Sequence, residues 1–353
     1  MFPAPKFLVP HAAGIDISDA SIKWVLISDA PIGKRRVDAW GSEALQEGVV
    51  SSGAINDEAR LTEALRAVRK KMPHVLALHA SLPEEPAFVF NMTVPLGSTR
   101  EEIFNLIEFE FEQRVPIPPA AAVYDYDLIP RQDGDLQQEI GVVVFPRELA
   151  ESYARCFADA GFLLLSLELE PRAIARAVVS EQELDKVTLL VDFGAKRSGL
   201  AVLKCGIPIF TSTVEIGIDQ INRALSEQTK MSSEEIETWK NEQGLIPSDG
   251  QKIGLEAVSG AASALGSEVA RHFNYWDTRR NDRGERVTPV SRVLLVGGGA
   301  NLAGLGDYIG GRVQADVIRP DVWQYVCSFE EYIPPIPRRT SLQYVTAIGL
   351  AMR

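Results

Sequence analysis

The chain has 353 residues, of which 46% are hydrophobic and 24% are charged, and its formal net charge at pH 7 is −12. That length exceeds what one hydrophobic core usually organises, so two lobes are expected, and the composition excludes extensive disorder. The acidic balance excludes a broad basic surface, so we expect no nucleic-acid partner, and a phosphate ligand would have to be held locally.

The first ninety residues alternate between strand and helix signals. Residues 13–28 predict a β-hairpin, and "KRRVDAWGSEAL" from Lys34 predicts a third antiparallel strand. Leu61, Leu65 and Val68 recur at helical spacing, and "HVLALHASL" follows as a buried strand. This order is typical of one α/β lobe.

The next segment has a different pattern, which predicts a small α+β unit. "EEIFNLIEFEFEQRV" places Ile103, Ile107 and Phe111 on one face of a helix, and the prolines of "VPIPP" end that helix. "VYDYDLI" and "EIGVVVFP" are interpreted as strands, and a second helix is expected over 147–160. Together these elements predict an insert over residues 92–160.

The second half begins with a helix near Pro171 and continues with three strands in "KVTLLVDFGAKRSGLAVLKCGIPIFTSTVEIG". Residues 217–275 are predicted to be mainly helical, with one long apolar face. That face carries Leu255, Val258, Ala262, Leu265, Val269 and Phe273. A strand, a glycine turn and a helix follow in "VSRVLLVGGGANLAGLGDYI", and "SLQYVTAIGLAMR" is predicted to be a helix.

These elements predict an α/β chain of two lobes with an insert in the first. The first lobe is expected to comprise residues 1–91 and 161–186, on either side of the insert. The second lobe is expected over 187–353, with a helical subdomain at about 220–290.

Two segments, "AGIDISDASIKWVLI" and "LLVDFGAKRSGLAVL", share one pattern: a strand runs into an aspartate, turns through small or polar residues and resumes. The aspartates, Asp16 and Asp192, lie about half a chain length apart, which indicates a duplicated lobe plan. Turns of small residues expose backbone N–H groups to phosphate oxygens, and an adjacent aspartate can hold Mg²⁺. Ordinary turn chemistry also explains either hairpin alone, so the prediction of a phosphate site depends on the pair.

Three glycines, Gly297, Gly298 and Gly299, lie between a predicted strand and a predicted helix, where a nucleotide can approach the backbone. A plain strand-to-helix turn explains the same glycines. The segment matches neither G-x-G-x-x-G nor G-x-x-x-x-G-K-[ST], which disfavours dinucleotide enzymes and P-loop NTPases.

The order of these elements resembles the actin-like ATPase superfamily, which has the ribonuclease H-like fold. Within it, the chain resembles the PilM-type pilus assembly proteins, relatives of FtsA, over nearly its whole length. The most specific segments are "FEFEQRVPIPPAAAVYDYDLI", "FADAGFLLLSLELEPRAIARAV", "VEIGIDQINRAL", "MSSEEIETWKNEQG" and "YVTAIGLAMR". The resemblance implies a two-lobed actin-like ATPase fold with a small α+β insert in the first lobe, and ATP and Mg²⁺ as cofactors.

The resemblance also implies a set of site residues. The phosphate-binding residues would be Asp16, Ser18, Lys23, Asp192, Gly194, Ala195, Gly217 and Asp219. The ribose and adenine would meet Glu237, Lys240, Gly297, Gly298 and Gly299. Asp16 and Asp192 would hold Mg²⁺ through water, and Glu170 would position the attacking water. A solvated helix face also explains Glu237 and Lys240.

One position departs from the superfamily pattern, which usually has glycine two residues after the first aspartate. Ser18 stands there in this chain. Ser18 could still donate its N–H and hydroxyl, but the backbone approaches a phosphate less closely than with glycine. Because phosphoryl transfer depends on accurate positioning, we expect ATP binding with weak or absent hydrolysis.

As a function, the resemblance implies an ATP-binding scaffold of a type IV pilus or related secretion machine. Its partners would be the N-terminal cytoplasmic peptide of a PilN-type inner-membrane protein and other pilus assembly proteins, with self-association as a further expectation. The peptide groove would involve the region around 91–130, including Phe104, Ile107 and Phe111. Core packing explains the same three side chains.

Two alternative functions stay open. A sugar-kinase-like phosphotransferase needs a carboxylate base, for which Asp125, Asp127 and Glu170 are available, but no sugar site is recognisable. An FtsA-like filament-forming protein would end in a linker and an amphipathic tail, and we expect neither after Arg353.

The cysteines and the N-terminal segment bear on localisation. Cys156, Cys205 and Cys327 are odd in number and form no Cys-x-x-Cys pair, so we expect a reducing compartment and no metal bound by cysteine. The first ten residues lack the apolar core of a signal peptide, and no stretch reaches the ~20 apolar residues of a membrane span. We therefore expect a cytoplasmic protein that reaches the inner face of the membrane through its partner.

Overall fold

The computed structural model describes residues 11–30, 34–131, 136–180, 186–247, 252–280, 284 and 286–353. The first ten residues, where no signal peptide is expected, lie outside these ranges. The described residues contain two five-stranded sheets, a three-stranded sheet and a two-stranded ribbon.

The strands, in chain order, are β1 (Ala12–Ile17), β2 (Ser21–Ala30), β3 (Lys34–Ala44), β4 (Val50–Ser51), β5 (Ala54–Ile55), β6 (Ala77–Leu82), β7 (Phe88–Pro95), β8 (Ala122–Leu128), β9 (Gln137–Pro146), β10 (Leu163–Leu169), β11 (Val187–Phe193), β12 (Ser198–Lys204), β13 (Ile207–Val214), β14 (Val290–Val296) and β15 (Asp316–Ile318). The α-helices are α1 (Glu58–Lys71), α2 (Arg100–Arg114), α3 (Arg147–Asp159), α4 (Glu170–Val178), α5 (Ile218–Thr229), α6 (Ser233–Glu242), α7 (Lys252–Thr278), α8 (Leu305–Val313), α9 (Arg338–Ser341) and α10 (Val345–Ala351).

The two large sheets have the same strand arrangement. The first has the order β10-β6-β1-β2-β3 and the second the order β13-β12-β11-β14-β15. In each, one central strand pairs antiparallel with the next strand of a three-strand meander and parallel with a later strand. This confirms the predicted duplication, and it brings the two aspartate-ended strands, β1 and β11, to the centre of their sheets.

Helices cover both faces of the first sheet. Because side chains alternate along β1, Ala13, Ile15 and Ile17 join the apolar cluster under α1 and α3. On the other face, a Cβ on Gly14 would lie 2.0 Å from the carbonyl oxygen of Ala347 in α10, so only glycine allows this helix so close to the strand. The first lobe is therefore a three-layer α/β/α unit.

The smaller sheet has the order β7-β9-β8 and packs against α2. Ile103, Ile107 and Phe111 are buried there, as the helical spacing predicts. The predicted insert, 92–160, also included α3, whereas Tyr153 and Phe157 of this helix pack into the first-lobe cluster. Packing therefore associates α3 with the first lobe, and the boundaries of the lobes stay a prediction.

The longest helix of the described second half is α7. Val258, Ala262, Leu265, Val269 and Phe273 are buried and Leu255 is partly buried, so the predicted apolar face is confirmed. Thr99 and Ser232 cap the starts of α2 and α6, each in a reciprocal capping box with the glutamate three residues on. In the described ranges, every helix is too short or too polar to cross a membrane.

Candidate functional site

A cleft of about 290 Å³ lies between the two large sheets, at the turns that follow β1 and β11. It brings together most of the residues predicted for a nucleotide site. Those that line it are Asp16, Ser18, Lys23, Glu170, Asp192, Gly194, Ala195, Glu237, Lys240, Gly297 and Gly298. Gly217, Asp219 and Gly299 are not part of its lining.

The first turn is held by its own hydrogen bonds. The Ser81 hydroxyl donates to Asp16 Oδ1 at 2.9 Å, and Asp16 lies opposite Lys23 in the β1–β2 register. The Ser18 N–H donates to the Ser21 carbonyl at 2.9 Å and the Ser18 hydroxyl donates to the same oxygen at 3.1 Å. Both donors that were expected to reach a phosphate are therefore engaged within the turn.

Other backbone amides of the two turns are available to a ligand. The N–H groups of Asp19 and Ala20 in the first turn, and of Ala195 and Lys196 in the second, donate to no group in the described part of the chain. All four residues line one cleft, and unused amides of consecutive turn residues are the kind of donor that binds phosphate oxygens.

The second turn is packed against the glycine turn after β14. A Cβ on Gly297, whose φ is +84°, would lie 2.2 Å from Asp192 Oδ1. Gly299 touches the Phe193 ring, which a Cβ would approach to 2.3 Å, so this glycine serves the packing of β11. In the glycine turn, Gly297 therefore leaves room for the Asp192 carboxylate, and both Gly297 and Gly298 line the cleft.

Gly217 and Asp219 support the second turn from behind. A Cβ on Gly217 would lie 2.1 Å from the Ala195 carbonyl oxygen, and the Asp219 N–H donates to that oxygen at 3.0 Å. The start of α5 thus fixes the shape of the turn rather than lining the cleft.

Two glutamates in the cleft were not predicted from the sequence. Glu84 and Glu85 lie in the loop after β6 and join Asp16, Glu170 and Asp192 in the lining. Glu84 crosses to the second sheet, since a Cβ on Gly199 would lie 2.2 Å from its Oε1. The only available signal was the run "PEEP" directly after a buried strand.

Four of these carboxyls, Asp16, Glu85, Glu170 and Asp192, have raised pKa values because burial disfavours the charged forms and nearby carboxylates repel them. Burial, with Glu84 and Asp16 nearby, raises the pKa of Asp192 to about 7. Burial and Glu84 raise the pKa of Glu85 to about 7. Burial raises the pKa of Asp16 against the attraction of Lys23, and burial with Glu84 and Asp16 raises the pKa of Glu170 well above its usual range.

Helix α6 contributes Glu237 and Lys240 to the lining of the cleft. Lys240 is buried, and its Nζ lies 2.8 Å from Glu237 Oε2. Burial raises the pKa of Glu237, but the hydrogen bond from Lys240 and its charge outweigh it, so the net pKa is lowered. A solvated helix face does not describe Lys240, although Glu237 is 57% exposed.

The packing of α2 excludes some of the side chains that were expected to line the peptide groove. Ile107 and Phe111 are completely buried and Phe104 is partly buried, so the first two cannot line a surface groove. The exposed apolar side chains of this region are others. Leu96, Phe109 and Leu128 are each about half exposed or more.

Comparison with solved structures agrees with the two-lobed architecture. A PilM–PilN type IV pilus biogenesis complex aligns with a TM-score of 0.77 at 19% identity, covering 97% of this chain and 98% of that chain. The ethanolamine utilization protein EutJ from Carboxydothermus hydrogenoformans aligns with a TM-score of 0.55 at 18% identity, covering 98% and 90%. MreB5 of Spiroplasma citri, bound to ADP, aligns with a TM-score of 0.53 at 10% identity, covering 97% and 95%. These likenesses establish the actin-like ATPase fold.

Comparison at the level of sequence identifies the family. No curated protein matches the chain. The family model described as type IV pilus assembly protein PilM matches residues 14–353, nearly the entire chain. The chain therefore belongs to the PilM family of type IV pilus assembly proteins.

Proposed function

We propose that this chain is a cytoplasmic ATP-binding scaffold of type IV pilus assembly. It docks the N-terminal cytoplasmic segment of a PilN-type membrane protein and reaches the membrane through that partner. The observation that carries the ATP-binding part is the pairing of the two turns, whose residues with unused amides line one cleft together with Asp16 and Asp192. The ADP-bound MreB5 of the same fold supports a nucleotide as the ligand.

The carboxylates of the cleft fit Mg²⁺ with the help of a ligand. In the described part of the chain, no three side chains of His, Cys, Asp or Glu form a metal site by themselves. Mg²⁺ is commonly held by one or two carboxylates, phosphate oxygens and water, which Asp16 and Asp192 can provide with a bound nucleotide. When bound, the metal would neutralise phosphate charge in the cleft, and Asp16 and Asp192 would hold it.

Weak hydrolysis follows from the environment of Glu170. A charged carboxylate accepts a proton from water far better than a neutral carboxyl does, and burial together with Glu84 and Asp16 raises the pKa of Glu170 well above its usual range. Glu170 therefore carries the charged form less often than an exposed glutamate does at the same pH. We therefore expect the chain to bind ATP and to hydrolyse it slowly.

Partner docking is proposed for the insert. The PilM–PilN complex supports a PilN-type partner. Leu96, Phe109 and Leu128 expose apolar surface on this part of the chain, which suits anchoring of an apolar peptide side chain. We propose the unit β7-α2-β8-β9 as the docking part of the first lobe, whose other elements precede this unit or follow it as α3, β10 and α4, and we propose the chain from β11 onward as the second lobe.

The experiment is a titration of the purified chain with ATP in the presence and absence of Mg²⁺. Asp16→Asn and Asp192→Asn should each weaken Mg²⁺-dependent ATP binding by about tenfold or more, since each removes a charged ligand from the cleft. Asp159→Asn, an exposed aspartate on α3, is the matched control and should bind like the wild type. Unchanged affinity in both cleft variants would refute the shared phosphate site.

A further inference from the structure

Arg197 crosses the cleft from the second turn. It lines the cleft beside Ala195 and Lys196, and its side chain is only 10% exposed. Its Nη2 forms an ion pair with Asp19 of the first turn, and its Nη1 lies 3.1 Å from Glu85 Oε1. One guanidinium thus contacts two carboxylates, both of which belong to the first lobe.

One donor of this guanidinium is not used. Although Nη1 is close to Glu85, the two atoms do not meet hydrogen-bond geometry, and Nη1 is buried without an acceptor among the described residues. A buried N–H group is normally satisfied, by protein, water or ligand. Because the planar guanidinium matches phosphate oxygens in pairs, a phosphate is the ligand class that suits this donor.

The position of Arg197 indicates which phosphate. Arg197 belongs to the second turn and pairs with Asp19 of the first, so a phosphate that meets its guanidinium lies between both turns. With ribose and base placed, as proposed, beside Glu237 and Lys240 of α6, the phosphate chain runs from α6 to the turns and ends at the group that both turns hold. In a nucleoside triphosphate, that group is the terminal phosphate.

We propose that Arg197 recognises the terminal phosphate of a nucleoside triphosphate, in competition with Asp19 and Glu85. Binding of the triphosphate then exchanges an ion pair across the cleft for an arginine–phosphate pair. A diphosphate leaves the ion pair with Asp19 in place. The inference rests on the proposed function, and it makes Arg197 a determinant of the preference for triphosphate over diphosphate.

The test compares the dissociation constants of ATP and ADP for the wild type, Arg197→Ala, Arg197→Lys and Asp19→Asn. Arg197→Ala should weaken ATP binding by about tenfold or more and ADP binding by less than about twofold. Arg197→Lys should fall between, because lysine keeps the charge and loses the fork. Asp19→Asn should strengthen ATP binding about threefold, because it removes a competitor for the guanidinium.

The direction of the Asp19→Asn effect separates recognition from a simple latch between the turns. If Arg197 only held the turns together, Asp19→Asn would weaken ATP binding as Arg197→Ala does, and this result would overturn the inference. An equal loss of ATP and ADP affinity in Arg197→Ala would overturn it as well.

The controls keep the outcomes distinct. Arg271→Ala, on the exposed side of α7, removes the same charge away from the cleft and should leave both affinities unchanged. Thermal unfolding of each variant establishes that it is folded, and Arg197→Lys carries the test if Arg197→Ala is not. A wild type that binds neither nucleotide would overturn the proposed function together with this inference, whereas normal binding with an unaltered ATP-to-ADP ratio in Arg197→Ala would overturn the inference alone.

Discussion

Asp192 precedes the turn after β11 and packs against the glycine turn after β14. Its Oδ1 occupies the space that a side chain on Gly297 would need, and it shares the cleft with Glu84 and Asp16. Burial and these neighbours raise its pKa from the usual 3.8 to about 7. Without a cation, the charged form of this one aspartate therefore costs stability.

We expect Asp192→Asn to stabilise the metal-free protein at high pH. Between pH 4 and 7 the unfolded chain gives up the Asp192 proton while the folded protein retains it, so the wild-type unfolding free energy falls as pH rises through this window. Above pH 7 the deficit is constant. Asparagine has no such proton, so the variant should be more stable by about 2–4 kcal/mol at pH 8, and the difference should shrink toward pH 4.

Denaturant unfolding with a chelator present measures this difference. Asp159→Asn, on the surface of α3, serves as the control and should show no such dependence on pH. A stabilisation of the same size at every pH would mean that packing, and not ionisation, governs the change.

Among the residues of the cleft, those in a repeated pattern or a family motif were predicted from the sequence, and others were missed. Asp16, Lys23, Asp192 and Gly194 were predicted because each stands in a strand-turn-strand pattern that occurs twice or matches a family motif. Arg197 was not assigned a role, although it stands in the second of these patterns. A charge in a turn usually faces solvent, and only the packing of the two lobes brings this one against Asp19.

Helices α4 and α10 pack closely against each other. This contact bears on the site because α4 begins at Glu170, which lines the cleft. A Cβ on Gly349 of α10 would lie 1.9 Å from the carbonyl oxygen of Ala173 in α4. Arg176 of α4 also donates to the Gly349 carbonyl at 2.9 Å. The two helices therefore approach at backbone distance.

Gly349→Ala should destabilise the protein by about 1–3 kcal/mol, because the methyl group must push the helices apart in a packed interior. Gly260→Ala in α7 is the matched control: its Cβ would meet nothing within 4 Å, and alanine should stabilise the helix by up to about 1 kcal/mol. Equilibrium unfolding in urea measures both changes. Equal effects of the two substitutions would show that Gly349 has room for a side chain.

Sequence patterns predicted most of the helices and the strands of both meanders, and they missed several other strands, among them β7, β10 and β15. The face of α7 and both meanders were read from spacing alone. β10, with the sequence "LLLSLEL", received no assignment because its apolar run does not distinguish strand from helix. Its pairing partner β6 lies far away in sequence, so only the tertiary structure determines its state.

The insert is attached to both lobes of the molecule. Arg172 of α4 donates to Oδ2 of Asp127, a residue of β8, at 2.9 Å. It also donates to the carbonyl of Gly206, in the turn after β12, at 3.3 Å. Lys204, the last residue of β12, forms an ion pair with Glu139 of β9. Since β12 starts at the second turn of the cleft, one strand connects the cleft with the insert.

This connection predicts that nucleotide and partner peptide affect each other's affinity. We expect saturating Mg²⁺ and ATP to change the affinity of the PilN-type N-terminal peptide by about fivefold or more, and Arg172→Ala to bring that factor close to one. Each ligand alone should still bind the variant within about twofold of the wild type. Peptide titration by calorimetry, with and without nucleotide, measures the factor.

Arg155→Ala is the control, because Arg155 also pairs with a carboxylate, Glu58, but does so on the surface of the first lobe. It should leave the coupling factor intact. The expectation fails if Arg172→Ala retains the wild-type factor, or if the wild type shows no coupling although it binds both ligands.

The close contact between Gly14 and α10 has a consequence for biosynthesis. β1 leaves the ribosome before the second lobe, yet the helix that covers one of its faces, Val345–Ala351, follows the strands of that second lobe. Until then α4, too, lacks its contact with Gly349 of that helix. The first lobe is thus completed only after the second has been translated, and a nascent chain presents that uncovered face to chaperones in the meantime.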